Sequence, residues 1–138
     1  MSITTSYFAI SKNLKGTRIS VARFNNPRMV QGSIDGIQTS FAPSKNLILS
    51  YKDEKIQWGE YKRRYIAEQR KHYRENLGDF EKLLDRATRE DITLLCYERF
   101  EGPKTKCHRL LLYDILQKIA KAKKYKVNFI DEKLYIKK

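Results

Sequence analysis

The feature that most constrains the fold is an apolar run that ends in reactive side chains. Ile92-Thr93-Leu94-Leu95-Cys96-Tyr97-Glu98 is short and continuous, and polar residues enter only at its end, the pattern of a buried strand. A loop holding Gly102-Pro103 follows. Cys107-His108-Arg109 then opens a segment with apolar residues at Leu111, Leu112, Ile115, Leu116 and Ile119. That spacing predicts a helix from Cys107 to about Lys123, with Thr105 or Lys106 near its cap. Both cysteines and one of the two histidines lie at the ends of this loop. Open α/β sheets place their sites where a strand hands over to a helix.

The remaining elements follow in chain order. Ile3 to Ile10 predicts a first strand, with Tyr7 near its C-terminal end. Thr17 to Phe24 predicts a second, rich in β-branched residues, with Arg23 at its end before Asn25-Asn26-Pro27. Arg28 to Phe41 has little periodicity and reads as a long loop. Pro43 suits the first turn of a helix whose Leu47, Ile48 and Tyr51 share a face. Helices are predicted from about Gln57 to Arg74 and from Asn76 to Arg89. Lys126 to Ile130 and Lys133 to Ile136 alternate around Asp131-Glu132, which predicts a terminal hairpin. The fold class expected is α/β: a small, largely parallel sheet flanked by helices, with a C-terminal hairpin or edge strands. Residues 1–138 are expected to form a single domain.

The chain resembles a known family. Leu94-Leu95-Cys96-Tyr97-Glu98, a variable loop, then Cys107-His108-Arg109 with Leu112 downstream, is similar to the signature of the bacterial, archaeal and phage family called domain of unknown function 488. Thr5-Ser6-Tyr7-Phe8 and Ile19-Ser20-Val21-Ala22-Arg23-Phe24 are similar to that family's first two strands. Ala42-Pro43-Ser44 and Trp58-Gly59-Glu60-Tyr61 are similar to its helix starts. The resemblance spans roughly Ile3 to Leu116. It implies a fold more firmly than an activity.

Charge points to the partner. Lysine and arginine outnumber aspartate and glutamate 29 to 16, a net charge of +13. Such an imbalance favours an anionic partner, nucleic acid or a nucleotide first. No apolar run reaches a membrane span, and Met1-Ser2-Ile3-Thr4-Thr5 is not a signal peptide, so a cytoplasmic protein without a membrane partner is expected. Two cysteines in that compartment are free thiols rather than a structural disulfide.

Cys107 is the sharpest candidate nucleophile. A cysteine at a helix start meets unpaired N–H groups, and Lys104, Lys106 and Arg109 add positive charge. The alternative is a small buried residue beside the sheet. Arg109 at the same helix start makes an anion site, unless it holds the loop through Glu98 or Glu101. His108 suits acid–base work, or else caps the helix or stacks on Tyr97. Glu98 can accept a proton or orient an arginine. Together with the resemblance, the strand-end argument gives a pocket of Tyr7, Arg23, Cys96, Glu98, Cys107, His108 and Arg109, with Glu98, Cys107 and His108 as catalytic groups.

No metal is expected, because Cys96, Cys107 and His108 lack a second cysteine–histidine pair at a usual zinc spacing. No phosphate loop or dinucleotide fingerprint is present, so no cofactor is expected. On the long helix, Trp58, Tyr61 and Tyr65 read as core, while Lys62, Arg63, Arg64 and Arg70 form a possible nucleic-acid face. Two readings stand. One is a protein that binds or acts on a nucleotide or nucleic acid through the pocket. The other is a non-enzymatic accessory protein, such as a phage encodes, that binds nucleic acid or a protein through its basic surface.

Overall fold

The structure, a computed structural model, describes residues 1–27, 34–102 and 104–135. Its sheet is built from β1 (Ser2–Tyr7), β2 (Thr17–Ser20), β3 (Gly36–Ile37), β4 (Asp91–Cys96) and β5 (Asn128–Phe129). Their spatial order is β3-β2-β4-β1-β5, and every pairing is parallel. The helices are α1 (Lys45–Lys52), α2 (Trp58–Glu75), α3 (Leu77–Ala87) and α4 (His108–Lys123). The α/β class expected from sequence is the one observed. No helix is long and apolar enough to cross a membrane among the described residues.

Side-chain alternation explains the layering. Residues paired in register share a face. Ile3 pairs with Ile92, and Ile19 with Leu94. All four join a core with Phe41, Tyr61, Tyr65, Phe80, Leu84, Leu112 and Leu116, so this face carries the helices. The intervening residues Thr4, Ser6, Ser20 and Thr93 turn small polar groups to the other face. There Leu95 packs with Phe8 and Leu14, which a 3-10 helix over Phe8–Asn13 brings across the sheet. Gly16 makes the turn into β2 possible. Its φ is +84°, and a Cβ would stand 2.6 Å from the Asp91 carbonyl oxygen.

Local chemistry sets the element ends. Ser44 caps α1, its hydroxyl accepting from the Leu47 N–H at 3.2 Å. Pro43 therefore precedes the cap and is not in the first helical turn. The Tyr65 hydroxyl on α2 is fully buried and donates to the Phe41 carbonyl at 2.7 Å. β1 ends at Tyr7 and β2 at Ser20, both earlier than the sequence pattern predicts. After β2, the Asn25 side chain bonds back to Ser20 and donates to the Ala22 carbonyl at 3.0 Å, curling the chain away from the sheet.

Part of the predicted loop over Arg28 to Phe41 is ordered structure. Gly36–Ile37 is the edge strand β3 and Thr39–Phe41 a 3-10 turn, while residues 28–33 lie outside the described residues. Pro103 and Ile136 lie outside them as well. At the C-terminus the edge strand is realised and the hairpin is not. β5 runs parallel beside β1, with the Ile130 N–H donating to the Ile3 carbonyl at 2.9 Å. Glu132–Tyr135 then forms a 3-10 turn.

That turn delivers a carboxylate to the interior. Arg109 is fully buried and Glu132 is 2% exposed. Arg109 Nε donates to Glu132 Oε1 at 3.0 Å and Nη2 to Oε2 at 3.1 Å, a bidentate pair. Arg109 Nη1 donates to the Glu98 carbonyl at 2.6 Å, and the Thr5 hydroxyl donates to Glu132 Oε1 at 2.8 Å. The pair thus ties α4 to β1, to the loop after β4 and to the C-terminal segment. Removing one partner leaves the other charge buried and uncompensated. Arg109→Ala or Glu132→Ala should each cost about 3–5 kcal/mol, measured as a shift of the urea midpoint at constant slope. A cost under about 1 kcal/mol would show that water reaches the pair.

Candidate functional site

The site begins with two neighbouring strands that end side by side. β2 and β4 are paired, and the chain leaves both at the same edge of the sheet. Beyond β2 come Ala22, Arg23 and Phe24; at and beyond the end of β4 come Cys96, Tyr97 and Glu98. α4 starts against the same edge, with Cys107 as its N-cap residue in extended conformation and His108 as its first helical residue. α1 adds Ile48, Tyr51 and Lys52, and α2 adds Tyr61. Between them lies a cavity of about 120 Å³. That is near the roughly 150 Å³ of an engineered cavity known to hold a benzene ring.

Its floor is a cluster of two sulfurs and an imidazole. Cys96, Cys107 and His108 are all buried. His108 Nε2 lies 2.6 Å from the Val21 carbonyl, which can only accept, so Nε2 carries the proton. Nδ1 is thereby aimed at both sulfurs and stands 3.9 Å from each. The ring packs against Tyr65, with centroids 5.5 Å apart, and not against Tyr97 as the sequence allowed. Tyr97 instead meets Phe8 edge-on at 4.6 Å.

The two thiols are driven apart. The Cys96 thiol is pushed well above its ordinary range by its hydrogen bond to Cys107 and by burial. Burial acts against charge on Cys107 too, but the hydrogen bond from Cys96, the His108 ring and the Arg109 guanidinium outweigh it and bring the thiol well below its usual value. Cys107 is therefore the more acidic thiol of the pair and Cys96 the less acidic. Glu98 lines the same cavity and is exposed to solvent. Burial of its carboxyl, then the Cys107 charge, raises its pKa, with Arg109 and Lys52 pulling the other way. The cluster can act as a nucleophile with an adjacent acid–base group, or as a set of soft metal ligands.

The family model for DUF488-N3a, described as the active DUF488-N3 subclade, matches residues 3–120. The chain belongs to the DUF488 family. The matched span runs from Ile3 in β1 to Ala120 in α4, and so contains every residue of the cavity floor. No curated protein and no solved structure matches the chain.

Of the residues singled out from the sequence of this DUF488 member, Arg23, Cys96, Glu98, Cys107 and His108 line one cavity. Arg23 is held in place by its Nε donating to the Pro43 carbonyl at 2.8 Å. Tyr7 and Arg109 do not line it. Tyr7 ends β1 beside Cys96 in register. Arg109 cannot serve as a ligand anchor from its present position, because Glu132 and the Glu98 carbonyl occupy its guanidinium. It holds the loop as the structural alternative required, but through the Glu98 main chain and a carboxylate that spacing did not reveal.

Phe24, Tyr51, Lys52 and Lys106 line the cavity without having been marked as site residues. Tyr51 was legible only as an apolar-face residue of α1. On α2, Tyr61 and Tyr65 are core as expected, and Trp58 packs against that core. Arg63 and Arg64 share Glu60, at 2.6 and 3.8 Å. Lys62 and Arg70 lie together in a separate groove between α2 and α4.

The asymmetry of the thiols is testable. In chelator-treated, reduced protein, iodoacetamide should modify Cys107 well before Cys96, as read by peptide mass spectrometry. Cys107 labelling should persist at pH 7, below the ordinary thiol pKa of about 8.5. Equal labelling of the two cysteines, or labelling only in denaturant, would refute the assignment.

Proposed function

We propose that the protein binds a nucleotide, free or as a residue of a nucleic-acid strand, in the cavity at the ends of β2 and β4, and acts on it there. The observation that carries this reading is the combination of walls and floor. Tyr51, Tyr97, Tyr61 and Phe24 contribute aromatic surface to a space of single-ring size. Bases stack on such surfaces irrespective of sequence. Arg23, Lys52 and Lys106 stand on the rim, where phosphates are recognised. Lys52 lies 5.9 Å from the Phe24 ring centroid, and neither Lys52 nor Lys106 has an ion-pair partner among the described residues. The net charge of +13 favours the same class of ligand. The floor supports action as well as binding: Glu98 is the proton-transfer group and the Cys96–Cys107–His108 cluster the reacting centre. A cytoplasmic setting accords with the free thiols.

Calorimetric titration with nucleoside monophosphates and with a short single-stranded oligonucleotide tests the reading. A charge-assisted contact contributes about 1.5–3 kcal/mol. Lys52→Ala and Lys106→Ala should therefore each weaken binding about tenfold or more, with the melting temperature unchanged. Replacing Lys62, Arg63 and Arg64 together by alanine should leave mononucleotide affinity alone. If that triple variant abolishes oligonucleotide binding while the rim variants are silent, the basic face of α2 is the binding surface and the cavity reading fails.

A further inference from the structure

We propose that Cys96, Cys107 and His108 bind one thiophilic divalent cation, zinc in the first instance, with a coordination position left open to the cavity. Their ligating atoms, two Sγ and one Nδ1, all lie within 4.8 Å of one another. Each sulfur is 3.9 Å from Nδ1. Zinc bonds of about 2.3 Å to sulfur and about 2.0–2.1 Å to nitrogen, set tetrahedrally, place sulfur and nitrogen roughly 3.5 Å apart. Closing the site takes a few tenths of an ångström between each sulfur and Nδ1, and up to about 1 Å between the two sulfurs, which lie within 4.8 Å and would sit roughly 3.8 Å apart on a tetrahedral ion.

Three further features fit a metal and not merely a packed trio. First, a ligating histidine almost always donates its other ring N–H to a carbonyl or carboxylate. His108 Nε2 does so to Val21 at 2.6 Å, which fixes the ring with Nδ1 toward the sulfurs. This is how adjacent residues, Cys107 and His108, can serve one ion. Second, the ligands come from rigid places: the last residue of β4, the N-cap of α4 and its first helical residue. Third, the charge balances. Two thiolates neutralise a divalent ion, and the nearby Arg109 is already neutralised by Glu132 at 3.0 Å. A cation here leaves no buried charge uncompensated.

The donor set of two cysteines and one histidine is that of zinc sites which keep a water in the fourth position. Here all three donors line the cavity, and Glu98 stands on its wall. A metal held there would supply an acidified water at the place where the cavity's occupant lies. Spacing alone argues against this set in the sequence, because it matches no usual zinc pattern; the fold supplies the proximity.

The test uses the full chain, reduced and stripped with chelator, titrated with cobalt(II) and back-titrated with zinc. The expected result is one equivalent of cobalt, tetrahedral d–d bands with thiolate charge-transfer absorption, and bleaching by one equivalent of zinc. Cys96→Ser and Cys107→Ser should each lower affinity by more than the roughly 10–100-fold that loss of an outer partner costs. X-ray absorption of the zinc-loaded wild type should give two sulfurs to one nitrogen, which keeps the test independent of whether the variants fold. Absence of thiolate bands in protein that is folded by circular dichroism would overturn the site. So would bands that survive in both cysteine variants. Nucleotide titration of the stripped and loaded protein is read separately, so the metal and the nucleotide readings can fail one without the other.

Discussion

β4 is hydrogen-bonded on both sides to strands that run in its own direction. That constraint organises the molecule. Parallel neighbours send their C-terminal ends to one edge, and the connections back must cross a face of the sheet, here as α-helices between β3 and β4 and between β4 and β5. Ile3, Ile19, Ile92 and Leu94 make one face apolar, so the helices collect there. The residues just past β2 and β4 are then forced together beneath the start of α4. The cluster of Cys96, Cys107 and His108 is a consequence of strand direction before it is a matter of side-chain chemistry.

The buried charge near this edge shows how the fold protects that arrangement. A guanidinium two residues from Cys107 would be costly in an apolar interior if left alone. Glu132 meets it bidentately, the Glu98 carbonyl takes a further N–H, and Thr5 supports the carboxylate. The positive charge remains close enough to favour the Cys107 thiolate, yet it is no longer free to capture an external anion. Lys52 on α1 and Lys106 on the loop before α4 line the cavity instead.

Much of this was legible in the sequence, for identifiable reasons. The unbroken apolar run over Ile92 to Leu95 and the three-and-four spacing after Cys107 are strong signals, and β4 and α4 lie where they indicate. Arg23, Cys96, Glu98, Cys107 and His108 converge because all follow strand ends or open a helix, positions that parallel topology places at one edge. What failed to show depends on distance along the chain. Glu132 is 23 residues from Arg109, and no periodicity relates them. Tyr51 and Lys52 belong to a helix whose packing angle no local pattern reports. The predicted hairpin rested on alternation around Asp131-Glu132; Glu132–Tyr135 forms a 3-10 turn instead, with the Glu132 carboxylate buried against Arg109.

The position of Glu132 has a consequence for how the chain acquires its shape during synthesis. The family match ends at residue 120, so the counter-charge for a residue inside the matched region comes from a segment beyond it. A nascent chain that has emerged only as far as β5 already contains the sheet strands, the helices and the cysteines, but its Arg109 still lacks a carboxylate. Without Glu132 the start of α4 would carry a buried guanidinium with no counter-charge. The last turn of the described chain therefore acts as a clasp, through which residues beyond the family match hold the start of α4 within it.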